Sequence, residues 1–435
     1  MKTAYLAYGI RTPFAKAGAE LAKVHAAELG RFALSELFAK TNLSLDQLGK
    51  IVDEVIIGNT GTPADAANIG RVVSLRAGLP KQTSAYTVHR NCASGMEAVA
   101  QAILKVQAGV ADVIVAGGTE SMSQMPLFYN DAMVNFFARL AKAKTTGEKL
   151  KTLATLPLKE VLNPKIAIVE GLTDPFCGLN MGQTAENIAK EFKISRQEQD
   201  EFALRSHQRT VAAAEAGRFK DEIAPYAVPP KFEQILTVDS GPRKTQSMEM
   251  LAKLKPYFDR KHGTVTVGNA CPITDGAAMT IVANEEGLKK LGGIKPMAKF
   301  TDYAFAGLEP EKMGLGPVYA CHQILKRNKL KLSDFGVVEI NEAFAAQVLG
   351  CLKAFDSSTF CKDNLGLASK YGAINPDILN PNGGAIAMGH PVGCSGTRLV
   401  ITAALEMKRR KMERGIASLC IGGGQGGAVA LELVD

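Results

Sequence analysis

Four short stretches carry side chains able to do chemistry. In "HRNCASGMEAVAQAI", from His89 to Ile103, a cysteine among small residues leads into a helical pattern, with Met96, Val99, Ala100 and Ile103 at helical spacing. Cys92 thus stands at a helix entrance, where unpaired N–H groups and the helix dipole favour thiolate over thiol. The plainer alternative is a small, buried, apolar side chain. In "NGGAIAMGHPVGCSG", from Asn382 to Gly396, His390 sits between Gly389 and Pro391 just before a second helix. That frame fixes the direction of the ring, and an imidazole beside a thiol can take its proton. "SLCIGGGQGG" ends a strand at Cys420, a second titratable thiol, and Gly422 to Gly424 follow with N–H groups free to face an oxyanion. "EINEAFAAQVL" brings Asn341 and Glu342 out of an apolar strand into a helix, where an asparagine is either a cap or a free amide. Singly, none of these is decisive.

The elements that must hold these groups are short apolar runs alternating with helical patterns. "VDEVIIGN", "ADVIVAGGTES", "MTIVANEE", "FGVVEINEAF", "IASLCIGGGQGG" and "AVALELV" read as strands of an α/β protein. The chain also echoes itself. "NCASGMEAVAQAI" followed by "ADVIVAGG" matches "VGCSGTRLVITAAL" followed by "IASLCIGGG". The echo predicts two similarly folded halves, residues 1–120 with 274–293 and residues 294–435. Residues 121–273 form an irregular, charged insertion, with a helix opened by a Ser195–Glu198 capping box. A lobe of that kind over the carboxyl ends of the strands builds a substrate cleft.

Composition narrows the partners. The 435 residues are 46% hydrophobic and 22% charged, as in a globular chain of two or three packed units. The formal charge of +8 suits phosphate-bearing molecules or an anionic surface. Nucleic acid is not expected, since basic stretches are not interleaved with aromatics and tryptophan is missing. The eight cysteines form no CxxC pair and no zinc spacing, so no metal is expected. Without a signal-like apolar run, reduced thiols in a cytoplasmic or matrix compartment are the expectation.

Taken together, "NCASG", "NEAF", "GHPVGCSG" and "CIGGGQGG" resemble the thiolases in order and spacing, and the likeness runs from "IRTPF" to "GGAVALELV". The resemblance implies duplicated βαβαβ halves stacked as an α-β-α-β-α sandwich with an inserted helical loop domain. It implies cleavage of a 3-ketoacyl-CoA by CoA to acetyl-CoA and a shortened acyl-CoA. By the same carry-over Cys92 is the nucleophile, His390 takes its proton and Cys420 exchanges protons with CoA or the acetyl carbon. One oxyanion hole comes from His390 and a water on Asn341, the other from the N–H groups of Cys92 and Gly422. Arg243 corresponds to an arginine near the CoA phosphates, while Met181, Ala270, Cys271 and Phe344 line the pantetheine and acyl path. CoA and acyl-CoA act as substrates, with no further cofactor.

Three residues depart from common family patterns. Cys271 stands where many members have a serine, Asn180 where short-chain members often have a histidine, and His89 where asparagine is common. The long insertion resembles thiolase subunits of fatty-acid-oxidation complexes. That implies a homodimer or tetramer and raises a hydratase/dehydrogenase subunit or an anionic membrane as partners of residues 133–165. There seven Lys or Arg accompany two Glu, and Val134, Phe137, Leu140 and Ala141 share a helical face. A solvated hairpin capping the cleft is the plainer reading of this segment. The alternative activities are a biosynthetic acetoacetyl-CoA thiolase and, more distantly, a non-catalytic CoA or lipid carrier.

Overall fold

The computed structural model describes residues 1–434. The first half contributes β1 (Tyr5–Arg11), β2 (Glu54–Gly58), β3 (Ser84–Val88), β4 (Val113–Ser121) and β5 (Thr274–Ala283). The second contributes β6 (Ala298–Gly307), β7 (Val337–Ile340), β8 (Arg414–Ile421) and β9 (Gln425–Glu432). The spatial order is β7-β8-β9-β6-β1-β5-β4-β2-β3. The halves follow one plan: β2 lies parallel to β4, which runs antiparallel to β5, and β7 lies parallel to β8, which runs antiparallel to β9. Even the third strand, β3 in the first half, has a trace in the second, where Leu379 bridges Val338 in parallel. The two half-sheets join through two residue pairs of β1 and β6, Tyr5 with Lys299 and Leu6 with Ala298.

Helices make the other layers: α1 (Ala26–Ala39), α2 (Ser94–Gln107), α3 (Asp131–Lys142), α4 (Thr146–Leu153), α5 (Met181–Glu191), α6 (Arg196–Glu215), α7 (Gly316–Asn328) and α8 (Ser395–Arg410). The echoed helices α2 and α8 share one apolar core with inner-facing residues of both half-sheets, including Ile56, Ile114, Val337 and Leu419. Outer cores carry α1 on one side and α7 on the other. The result is the expected α-β-α-β-α stack. Strands buried on both faces explain the unbroken apolar runs: β4 and β5 are buried throughout.

Glycines let the middle layer close. A Cβ on Gly95 would come within 2.6 Å of Thr397 Oγ1, and one on Gly396 within 2.6 Å of Met96 N. The two helix starts therefore touch backbone to backbone, which brings the loops before them side by side. The insertion is pinned to this core by Arg11. It is fully buried and donates to Glu222 at 2.7 Å and to both oxygens of Asp239 at 2.6 and 2.9 Å. A bidentate guanidinium–carboxylate pair fixes orientation as well as distance. Helix α6 begins at the predicted capping box, with Ser195 and Glu198 each accepting the other's backbone N–H. Among the described residues no helix is long and apolar enough to cross a membrane.

Candidate active site

Cys92 lies two residues before α2, in a turn set by Asn91 in the left-handed region at φ +43°. No side chain caps α2; Ser94 Oγ instead accepts the Arg90 N–H at 2.9 Å and donates to the Asn91 carbonyl at 2.8 Å. The helix entrance was expected to acidify the thiol, but burial dominates and pushes Cys92 up, against the opposing N–H groups of Gly422 and of Cys92 itself. The thiol therefore needs a base to become a thiolate.

His390 offers a buried ring nitrogen. It is 5% exposed, and its Nδ1 lies 2.6 Å from Ser395 Oγ, the first residue of α8. Ser395 donates its own hydrogen to the Pro391 carbonyl at 2.8 Å, so its oxygen accepts from His390 and the proton belongs on Nδ1. Nε2 is left as a buried acceptor without a partner. Burial, helped by the charge of Arg398, lowers the imidazole pKa to about 3, which keeps it neutral at physiological pH. The loop is held by Gly393 N–H on Glu120 at 2.8 Å. It packs so closely that a Cβ on Gly118 would come within 2.0 Å of the Gly393 carbonyl.

Asn341 follows β7 and is fully buried. Its Oδ1 faces Arg398 Nη2 at 3.5 Å, while its Nδ2 has no hydrogen-bond partner. Two unpartnered buried nitrogens, one acceptor and one donor, are a costly arrangement that a ligand or water is needed to relieve. Glu342, next along the chain, is a brace. It accepts from Ser206 Oγ at 2.5 Å, Asn380 Nδ2 at 3.0 Å and Ile386 N–H at 3.3 Å, tying α6 to the strand end.

Cys420 is buried at the end of β8, and its thiol is raised well above the ordinary value by burial, with Cys92, Cys351 and Cys271 adding to it. Cys271 is pushed up to about 12 by burial, with Cys92 again contributing. The three thiols therefore lie near enough to feel one another's charge, and each is shifted toward the protonated form. Beside Cys92 opens a cavity of about 340 Å³, walled by Met122, Met125, Phe128, Ile168, Leu172 and Met181, with Gly422 at its floor. The insertion supplies most of this wall through its hairpin Leu127–Phe128/Lys165–Ile166 and the helix that follows it.

The remaining predicted residues fall into two places. Ala270 bridges Phe344, the Cys271 N–H donates to the Ala343 carbonyl at 3.0 Å, and Phe344 meets Phe258 edge to face. Arg243 lies apart, exposed on its loop, where its backbone N–H donates to His207 Nδ1 at 3.2 Å. Lys16 is near enough to feel its charge, whereas Lys244 is paired with Glu215 at 2.6 Å. Asn180 caps α5 with its side chain. His89 bonds Asn91, and Asn91 Nδ2 holds the Gly422 carbonyl at 2.8 Å. Sequence reasoning missed Ser395, Arg398 and Glu120. The serine alone left a signal, five residues after His390 in the same motif.

Among the described residues no three His, Cys, Asp or Glu side chains are grouped to hold a metal ion. Known proteins match the chain over nearly its whole length. The family model of the thiolase N-terminal domain matches residues 4–286, and that of the thiolase C-terminal domain residues 294–433. The 3-ketoacyl-CoA thiolase of Yersinia enterocolitica is 37% identical over 98% of this chain and 95% of its own length. That of Pectobacterium carotovorum is 38% identical with the same coverage. The crystal structure of human mitochondrial 3-ketoacyl-CoA thiolase in complex with CoA is 35% identical at a TM-score of 0.85, covering 100% of this chain and 98% of that one. The Bacillus anthracis acetyl-CoA acetyltransferase is likewise 35% identical at a TM-score of 0.84, with 100% and 99% covered.

Proposed function

The chain belongs to the thiolase family, and we propose that it works as a degradative acyltransferase, cleaving 3-ketoacyl-CoA with CoA. The observation that carries the degradative reading is the apolar cavity beside Cys92, which offers room for an acyl chain longer than acetyl. The names of the full-length relatives point the same way, so the biosynthetic alternative is not favoured.

The environments of the groups support a division of labour. His390 Nε2, neutral and unpartnered, takes the Cys92 proton, and the thiolate attacks the 3-keto carbon. The oxyanion is met by the N–H groups of Cys92 and Gly422. Cleavage of the C2–C3 bond leaves the acyl group on Cys92 and an acetyl-CoA enolate. Asn341 with the now protonated His390 Nε2 stabilises that enolate. Cys420, kept as a thiol by burial, protonates its carbon. The Cys420 thiolate next takes the proton of CoA–SH, and CoA sulfur attacks the thioester. Cys92 leaves and recovers its proton from His390. Arg243 and Lys16 form a basic rim suited to the CoA phosphates, and Met181, Ala270, Cys271 and Phe344 flank its pantetheine arm. CoA and these side chains suffice for every step.

Replacing Cys92 by Ser should lower thiolysis by at least about 10³-fold while CoA still binds, because a hydroxyl at neutral pH is a far poorer nucleophile than a thiolate. Near-normal turnover would remove Cys92 from the mechanism. We also propose a dimer or larger assembly, since β3 is a half-exposed edge strand paired on one side only; a monomer by light scattering would refute it. Eight free cysteines support a reducing compartment such as the cytoplasm.

The insertion supports a surface role. In α3 the buried face is Met133 and Phe136, which leaves Val134 and Phe137 exposed beside Arg139 and Lys142. Leu150 and Leu153 of α4 are exposed too. An apolar stripe edged by cations suits an anionic lipid surface. Changing Arg139, Lys142, Lys144 and Lys149 to Glu should abolish sedimentation with anionic vesicles and leave thiolysis intact. A wild type that ignores vesicles at low salt but binds a hydratase/dehydrogenase subunit would reassign the surface.

A further inference from the structure

Arg398 is one turn beyond Ser395 on α8, so one helix face presents both side chains inward. The guanidinium is 1% exposed, with Nη1 at 3.3 Å from Glu339 Oε2 and Nη2 at 3.5 Å from Asn341 Oδ1. A guanidinium has only donors. Flipping the Asn341 amide would set NH₂ against N–H and cation, a clash made worse by the low dielectric of a fully buried site. The cation therefore selects one amide orientation and leaves Nδ2 as the free donor. Its charge also bears on His390, the other unpartnered group.

We propose that Arg398 is a positioning residue: hydrogen-bonded to Glu339 behind the site, it locks the Asn341 amide with its donor toward the enolate oxygen, while Ser395 on the same helix sets the His390 tautomer. Helix α8 thus registers both members of one oxyanion hole against each other. The inference rests on the role of Asn341 proposed above.

Removing Arg398 alone would leave the buried Glu339 carboxyl without its donor, so the test runs in a Glu339→Gln background. There Arg398→Met should lower kcat about tenfold or more, with KM for CoA within about twofold. Once Asn341 is also changed to Ala, the same Arg398→Met step should cost less than about twofold, because the residue it acts through is gone. Arg398→Lys in the wild-type chain, keeping the charge but not the fork, should fall between. An unchanged kcat in Arg398→Met, or an equal loss with and without the Asn341 amide, overturns the proposal. So does failure of both arginine variants to fold, which would make Arg398 scaffold alone. A fully active Asn341→Ala would overturn the reading of Asn341 itself, and is told apart by that arm of the cycle.

Discussion

The two halves of the molecule solve one structural problem and put the solution to different uses. Both open a middle-layer helix with Ser-Gly: Ser94-Gly95 in α2 and Ser395-Gly396 in α8. In the first half the serine oxygen accepts a backbone N–H, that of Arg90; in the second it accepts from the His390 ring. Three residues on, Glu97 binds Arg90 at 2.7 Å, whereas Arg398 faces Asn341. The residue after the second strand diverges in the same way. Asn59 donates to the Thr119 carbonyl at 2.8 Å and to Glu120 at 3.0 Å, while the Nδ2 of Asn341 stays free. In the first half the matching amide donor is satisfied, and the nucleophile stands on a braced turn. The second leaves the Asn341 Nδ2 donor and the His390 Nε2 acceptor unpartnered where chemistry needs them. Duplicated scaffolds can specialise by moving hydrogen bonds, with the strand order untouched.

The asparagine pair offers the widest contrast. Asn341→Ala should cut kcat by about 10²- to 10³-fold, the scale of a lost oxyanion donor, and leave thermal stability nearly unchanged. Asn59→Ala should do the reverse: it strips a donor from buried Glu120 and costs about 2 kcal/mol of stability, read by denaturant melts. Equal effects on both readouts would erase the distinction between the halves.

The serine pair should repeat that pattern on a smaller scale. Ser395→Ala frees the His390 ring and should lower kcat about tenfold, while Ser94→Ala should cost about 1 kcal/mol of stability with kcat nearly intact. A Ser94 variant that loses more activity than the Ser395 variant would reverse the assignment.

Acid stability probes the same contrast through proton binding. His390 has a folded-state pKa near 3 against 6.5 for a free imidazole, so below pH 6.5 the unfolded chain binds a proton that the native one refuses. Stability is complete above that pH and declines as pH falls toward 3, by about 3 kcal/mol at pH 4 from this group. Cys92, whose pKa is shifted upward, is protonated in both states there and contributes nothing. His390→Gln should therefore flatten the fall of Tm between pH 6.5 and 4, and Cys92→Ser should leave it unchanged.

Periodicity and the echoed motifs made the layered halves legible from sequence alone, because strands buried on both faces must be apolar throughout and helix starts in close contact must be small. The reactive residue types were legible for a similar reason: few side chains can act as nucleophile, base or acid at neutral pH. The apolar stripe of α3 shows the limit of such patterns. Helical spacing marks Val134 and Phe137 as clearly as a core would, yet it is Met133 and Phe136 that pack inward. The state of the site was likewise decided only by the tertiary structure. A helix entrance argues for an acidic thiol, but burial against a core drawn from both halves raises Cys92. The tautomer of His390 follows from a serine whose hydrogen is already committed, and the orientation of Asn341 from a guanidinium that strand and helix packing bring behind it. Protonation, tautomer and amide orientation depend on which donors and how much water surround an atom, and those neighbours exist only once the chain has folded.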